Sequence, residues 1–262
     1  MTGSEPAIEW KQKAGEAAVE SVASGMVVGL GTGSTAIWAV RGLADRIQQR
    51  ALTDIMAVPT SLETEREARR LDIPLTTLES SFQMDVVIDG ADEVDPDFNL
   101  IKGGGGALLK EKIVAQAGRR VIIVVEETKL SSHVGKRCPL PVEVIPFGWK
   151  TQQFILENLG ATVSLRLDKR HNVYITEQGN YILNCRFGPI HEPGGLAQRL
   201  KDRAGIVEHG LFLQMATDLI IAGPRGLRHH TASGPAVKSR FRFEQKGNPA
   251  APELQNTKKK DP

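Results

Sequence analysis

Four short apolar runs, Val27 to Leu30, Asp54 to Val58, Asp85 to Ile88 and Val121 to Val125, alternate with helical patterns and end in polar loops. Unbroken apolar runs of this length read as strands buried on both faces. Between them, Thr35 to Gln49, Leu62 to Leu71 and about Ala107 to Ala117 read as helices; in the first, Ile37, Val40, Leu43, Ala44 and Ile47 share a face. A leading helix is expected from Pro6 to Ala23, with Ser4 as its cap and Gly25 as its stop. Such alternation requires a mostly parallel sheet with helices on both faces. Ligands bind these sheets beyond the carboxyl ends of the strands, and the loops richest in glycine and aspartate leave from those ends.

From Pro139 the pattern changes. Residues Leu140 to Pro146 form a proline-bounded strand, and Trp149 to Asn158 is an amphipathic helix ending at Gly160. Strands are expected at Val163 to Leu167, Asn172 to Thr176 and Tyr181 to Phe187, the last two joined by a Glu177-Gln178-Gly179-Asn180 turn. A helix near Gly195 to Arg203 and a strand at Ile206 to Glu208 complete a smaller α+β unit at 139–209. The chain then returns to the first unit (1–138 plus 210–228) through the buried-strand pattern of Leu219 to Ala222. Beyond about His229 the apolar periodicity ends, and 229–262 reads as a disordered basic tail.

The net charge of +2 gives no reason to expect a nucleic-acid or membrane partner. No apolar segment approaches the roughly 20 residues that span a bilayer. The charge is unevenly spread: from Arg225 onward nine Lys/Arg face three Asp/Glu, so the preceding residues carry 24 basic against 28 acidic side chains. Cys138 and Cys185 lie far apart without CxxC spacing, which fits a reducing, cytoplasmic setting. The histidines show no zinc-ligand spacing, and no metal or cofactor is expected.

Three loops carry the chemistry. In Gly29-Leu30-Gly31-Thr32-Gly33-Ser34-Thr35, glycines allow close backbone approach, and free amides with the hydroxyls of Thr32, Ser34 and Thr35 can hold a phosphate. The alternative is a Ser-capped tight turn; neither a dinucleotide fingerprint nor a P-loop fits. In Asp89-Gly90-Ala91-Asp92-Glu93-Val94-Asp95, Asp89 and Asp92 can face one cavity to bind sugar hydroxyls, hold a divalent cation or merely make Asx turns. Glu93 and Asp95 are expected in solvent. In Lys102-Gly103-Gly104-Gly105-Gly106, four glycines supply backbone donors and Lys102 a fixed charge, with Glu111 one turn into the next helix. Lys110 and Lys112 read as a charged helix face, and Lys129 follows another strand end.

In this order and spacing, GTGST, DGADEVD and KGGGGALLKEK resemble the ribose-5-phosphate isomerase A family, with further likeness at Lys11, Gly15 and GKRCPLPVEVIPFGW and onward to about Gly226. The resemblance implies a Rossmann-like catalytic domain with an inserted ferredoxin-like domain, and an aldose–ketose isomerase of sugar phosphates working without metal. It also implies a homodimer or homotetramer. Glu111 matches the family's catalytic base. Thr32, Gly33, Ser34 and Thr35, then Asp89, Gly90, Ala91 and Asp92, then Lys102, Gly103, Gly104 and Gly105, match its three substrate loops, and Lys129 and Lys11 match substrate-binding lysines. One carboxylate can take a proton from carbon and return it to the neighbouring carbon through a cis-enediolate. Lys102 and backbone amides would then stabilise the oxyanion, and Asp89 or Asp92 would orient hydroxyls. Rival readings are a sugar-phosphate deaminase, a CoA-transferase, or a sugar-phosphate sensor without turnover. The extra C-terminal residues depart from the family pattern.

Overall fold

The computed structural model describes residues 5–232. In chain order it forms α1 (Glu5–Val19), β1 (Val27–Leu30), α2 (Ala36–Gln48), β2 (Met56–Pro59), α3 (Leu62–Arg70) and β3 (Met84–Gly90). Next come β4 (Glu93–Val94), β5 (Leu100–Ile101), α4 (Leu108–Ala117), β6 (Gly118–Glu126) and a short 3-10 turn at Glu127–Lys129. The chain continues through β7 (Leu140–Val144), α5 (Trp149–Asn158), β8 (Thr162–Leu165), β9 (Tyr181–Arg186), α6 (Pro193–Lys201) and β10 (Ile206–His209). It closes with β11 (Leu211–Phe212), β12 (Asp218–Gly223) and β13 (Gly226–Thr231).

The main sheet has the order β13-β12-β6-β3-β1-β2, parallel throughout except for the antiparallel β12–β13 edge. Its strands are apolar on both faces because both faces are covered. Val86, Ile88, Ile122, Val124, Ile220 and Ala222 point into one core with α1 and α2, whereas Val87, Val121, Ile123, Val125, Leu219 and Ile221 point into the other with Val114 of α4 and Phe212. At Gly15 a Cβ would lie 2.7 Å from Trp38 Cβ, so glycine there sets how closely α1 meets α2.

Strands β7, β8, β9 and β10 with α5 and α6 run β-α-β-β-α-β, in the antiparallel order β10-β7-β9-β8. That is the ferredoxin-like arrangement. A third sheet, β11-β5-β4, has three strands; its Leu100 and Phe212 pack into the core of the main sheet and its Ile101 and Leu211 into the core of the ferredoxin-like unit.

Three features depart from expectation. Residues 172–176 form no strand; only isolated bridges, Leu167 with Val173 and Ile175 with Tyr181, tie an arm between β8 and β9. Asp168 accepts hydrogen bonds from the amides of Arg170 and Asn172, an Asx turn that diverts the backbone from a ladder. Order also continues past His229, because β13 pairs with β12 as far as Thr231. This edge strand is mostly exposed and has no apolar alternation to reveal it. It is held by its ladder and by His229 Nε2, 2.7 Å from Asp218 Oδ1. The rest of the tail, 233–262, lies outside the described residues. Finally, β4, β5 and β11 have two residues each, too short for periodicity to register.

Candidate active site

β1 pairs with β2 on one side and β3 on the other, so the connections leaving β1 and β3 part in opposite directions. Crevices of this kind at the carboxyl ends of parallel strands are where ligands bind. The cleft there is lined by Thr32, Gly33, Ser34, Thr35, Gly90, Ala91, Asp92, Lys102, Gly103, Gly104, Gly105, Glu111 and Lys129. The three sequence-predicted loops therefore converge on one cavity.

The first loop is built against Asp89. A Cβ at Gly31 would sit 2.1 Å from Asp89 Oδ1, which only glycine avoids. The amides of Thr32 (3.1 Å) and Gly90 (2.7 Å) both donate to that oxygen. The Thr32 hydroxyl lies within hydrogen-bond distance of Thr60, Ser61 and Thr64, so it fastens the loop to the start of α3. Thr35, at the N-cap of α2, makes no side-chain capping bond. Ile37 and Trp38 donate their amides to Gly33 O and Thr35 O at 3.1 Å each, so the amides of Ser34, Thr35 and Ala36 are the ones without an acceptor among the described residues and open to a ligand.

Lys102 stands at the centre. Its ammonium is 3.0 Å from Asp89 Oδ2 and 3.3 Å from Glu111 Oε1, and it donates to the Gly90 carbonyl at 2.6 Å. Its amide donates to Gly210 O at 2.9 Å, so the short third sheet fixes it from behind. Asp92, at the rim, accepts from the Gly104 amide at 2.7 Å. Burial works against the Lys102 charge, but Asp89, Glu111 and Asp92 outweigh it and hold the amine above the ordinary lysine value. Burial raises the carboxyl of Asp89 despite Lys102. It raises Glu111 to about 8, with Lys102 opposing and Asp89 reinforcing. Glu111 Oε2 is buried and has no hydrogen-bond partner among the described residues.

Lys11 lies apart from the cleft lining; its ammonium meets Glu126 Oε2 at 3.6 Å. Three charged residues expected in solvent are buried. Lys112 is 2% exposed; it donates to Glu208 Oε1 at 2.7 Å and to the His209 carbonyl at 2.5 Å. Its ammonium and that of Lys102 lie 4.8 and 5.5 Å from the centroid of the Phe212 ring. Glu93 accepts from the amides of Gly135, Arg137 and Cys138 and anchors the loop before β7. Asp95 accepts from the amides of Asp97 and Asn99.

Sequence reasoning missed the residues of the β8–β9 arm. Arg166 Nη1 donates to the carbonyls of Gly103 (2.8 Å) and Gly104 (3.2 Å), and the Tyr174 hydroxyl donates to Gly105 O at 3.2 Å. Glu177 accepts from the Leu62 amide at 2.7 Å and from Lys110 at 2.6 Å. No local signal marks them, because their partners lie more than sixty positions away.

Residues 56–226 match the family model for ribose 5-phosphate isomerase A (phosphoriboisomerase A). The chain is 54% identical over 223 residues to the ribose-5-phosphate isomerase A of Chloroflexus aurantiacus, an alignment covering 85% of this chain and 93% of that protein. It is 51% identical over 220 residues to that of a Synechococcus species, covering 84% and 95%. A solved D-ribose-5-phosphate isomerase in complex with phospho-erythronic acid is similar with a TM-score of 0.83 at 35% identity, over 85% of this chain and 98% of the other. The ribose 5-phosphate isomerase A of Methanocaldococcus jannaschii gives 0.81 at 36% identity, over 85% and 98%. With the three loops meeting around Lys102 and relatives aligned along nearly their whole length, the chain belongs to the ribose-5-phosphate isomerase A family.

Proposed function

We propose that this isomerase interconverts D-ribose 5-phosphate and D-ribulose 5-phosphate with Glu111 as the single base. The observation that carries the reading is Glu111 itself. One carboxylate oxygen meets Lys102 at 3.3 Å, while the other is buried beside the cleft without a protein partner. An unpartnered carboxylate oxygen is costly unless a substrate uses it. Burial also brings its proton affinity to about 8, close to neutral pH, where a base can both take and return a proton.

Glu111 takes the proton from C2 of the open-chain aldose, and the electron pair forms the C1–C2 double bond of an enediolate. The same carboxyl returns the proton to C1 as the C2 carbonyl forms. Lys102 balances the negative charge that develops on oxygen, helped by glycine-loop amides. Asp89 or Asp92 orients the hydroxyls and passes the hydroxyl proton between O2 and O1. Because the ammonium of Lys102 already occupies the centre of the acidic cluster, the charge stabilisation is supplied without a metal ion. Thr32, Gly33, Ser34, Thr35 and Lys129 are the groups for the phosphate end. Lys11, paired with Glu126 at 3.6 Å, stands outside the cleft lining and is not assigned to the phosphate.

Phospho-erythronic acid, bound in the related isomerase, joins a phosphate to a planar carboxylate, which has the flatness and charge of an enediolate. That chemistry fits a cleft with a lysine at one end and helix-start amides at the other. Residues 1–138 with 210–228 are assigned to catalysis and 139–209 to a smaller domain. Exposed Phe147 (88%) and Phe154 (62%) favour a homo-oligomer, and the unpaired Cys138 and Cys185 suit the cytoplasm.

The test is ribose-5-phosphate turnover by wild type and Glu111→Gln, with EDTA present. Turnover by wild type and a loss of at least about 10³-fold in the variant are expected for removal of the sole base. Wild-type-like turnover in Glu111→Gln would remove the base assignment, and loss of wild-type turnover to EDTA would remove metal independence.

A further inference from the structure

We propose that Arg166 and Tyr174, on the arm between β8 and β9, are positioning residues that hold the glycine loop at 103–106 with the Gly105 amide turned toward the substrate. Arg166 is fixed at its root, since Asn184 Oδ1 on β9 accepts from Nε at 3.2 Å and from Nη2 at 2.6 Å. The remaining nitrogen, Nη1, reaches across to Gly103 O and Gly104 O. With the Tyr174 hydroxyl on Gly105 O, three successive carbonyls are held from the arm's side.

Among the described residues no peptide is cis. In a trans peptide a carbonyl and the following amide point in opposite directions. Fixing the carbonyls of 103 and 104 therefore turns the amides of 104 and 105 away from the arm. The Gly104 amide does reach Asp92 on the cleft side, and that of Gly106 closes a turn onto Gly103 O at 3.0 Å. Between them the Gly105 amide has no acceptor among the described residues, and Gly105 lines the cleft. It is the donor left for an oxyanion.

Four glycines have no side chains of their own to select this arrangement, and isolated they would sample many others. The arm supplies the selection. Gly106 shows how closely it fits: a Cβ there would lie 2.2 Å from the Tyr174 oxygen, and its φ is +88°. Glu177 clamps the end of the arm to α3 and α4 through Leu62 and Lys110. Donors oriented before the reaction are worth most where charge develops in the transition state.

The inference rests on the enediolate reading only in what the amides serve, so the test uses variants in which Glu111 is intact. Arg166→Lys, Arg166→Ala and Tyr174→Phe are assayed for kcat, KM and thermal midpoint. A single misaligned oxyanion donor should lower kcat about 10- to 100-fold in both Arg166 variants, with KM moving less than about 3-fold. Tyr174→Phe should show a smaller fall of the same kind. Guanidinium ion added to Arg166→Ala should restore part of the lost kcat at unchanged thermal midpoint, whereas a merely structural arginine would show no such rescue. Folded Arg166→Lys with wild-type kcat, or an Arg166→Ala loss that guanidinium does not relieve, would overturn the proposal. Turnover in Glu111→Gln would instead refute the base assignment and leave the arm's test readable.

Discussion

Replacing Glu111 by Gln is expected to stabilise the fold, and increasingly so as pH rises. Glu111 is 4% exposed, and burial lifts its carboxyl from 4.5 to about 8, with Lys102 opposing and Asp89 reinforcing. The folded chain thus holds this proton more tightly than the unfolded chain. Its stabilising contribution is complete below pH 4.5 and is lost as pH rises through about 8. Gln is neutral throughout, so the advantage of the variant opens over that window and then levels. Each unit of displacement is worth about 1.4 kcal/mol. Asp89 and Glu111 titrate against one lysine, so the gain belongs to the pair and is on the order of a few kcal/mol. At about 2–4 °C per kcal/mol for a chain near this size, the variant should melt roughly 5–10 °C above wild type at pH 9, relative to their difference at pH 4.5. Melts of both proteins from pH 4.5 to 9 at constant ionic strength give the answer. Parallel curves, or a variant that loses ground with pH, would refute the claim that this carboxylate carries an unrelieved burial cost.

Two further substitutions probe the frame around the site. Gly31→Ala would place a Cβ 2.5 Å from Asp89 Cα, backbone that cannot step aside, so it should cost about 1–3 kcal/mol by denaturant midpoint and displace Asp89 enough to abolish turnover. Asp218, although burial opposes its charge, is held at about 2 by hydrogen bonds from Arg120, Thr217 and His229. Its folded value lies below 3.8, so it adds stability above that pH which is lost as pH falls toward 2. Asp218→Asn should therefore melt below wild type at pH 7, with the gap closing in acid and kcat retained; a gap independent of pH would contradict it.

Legibility in the sequence followed the range of the interactions involved. Glycine at 31, 33 and 103–106 and aspartate at 89 and 92 announce themselves because backbone geometry and strand-end position are local properties. The parallel strands were readable for a related reason: Ile122 and Ile123 are both apolar because both faces of the sheet are covered. The misread residues share the opposite property. Lys112 resembles a solvated helix face within Lys110-Glu111-Lys112, yet its partners Glu208 and His209 lie 96 and 97 positions away. Glu93 resembles an exposed acid, yet it accepts three amides from 135, 137 and 138. β13 was invisible because an exposed edge strand is specified by its partner's backbone, not by its own side chains.

The same distinction explains why the catalytic charges can be read while their alignment cannot. A buried lysine between two buried carboxylates tolerates little slack: a shift that lengthened the 3.0 and 3.3 Å contacts would leave buried charges without compensation. The constraint must then come from elements that do not take part in the chemistry. Gly210 O holds the backbone of Lys102, the Phe212 ring lies beside its ammonium, and Lys112 ties the segment carrying both to α4, one residue beyond Glu111. Base and lysine are thereby fixed to one another through 208–212, while the arm fixes the glycine loop from the opposite side. Substitutions in either support should change kcat more than affinity, because they loosen alignment without removing a group that touches the substrate.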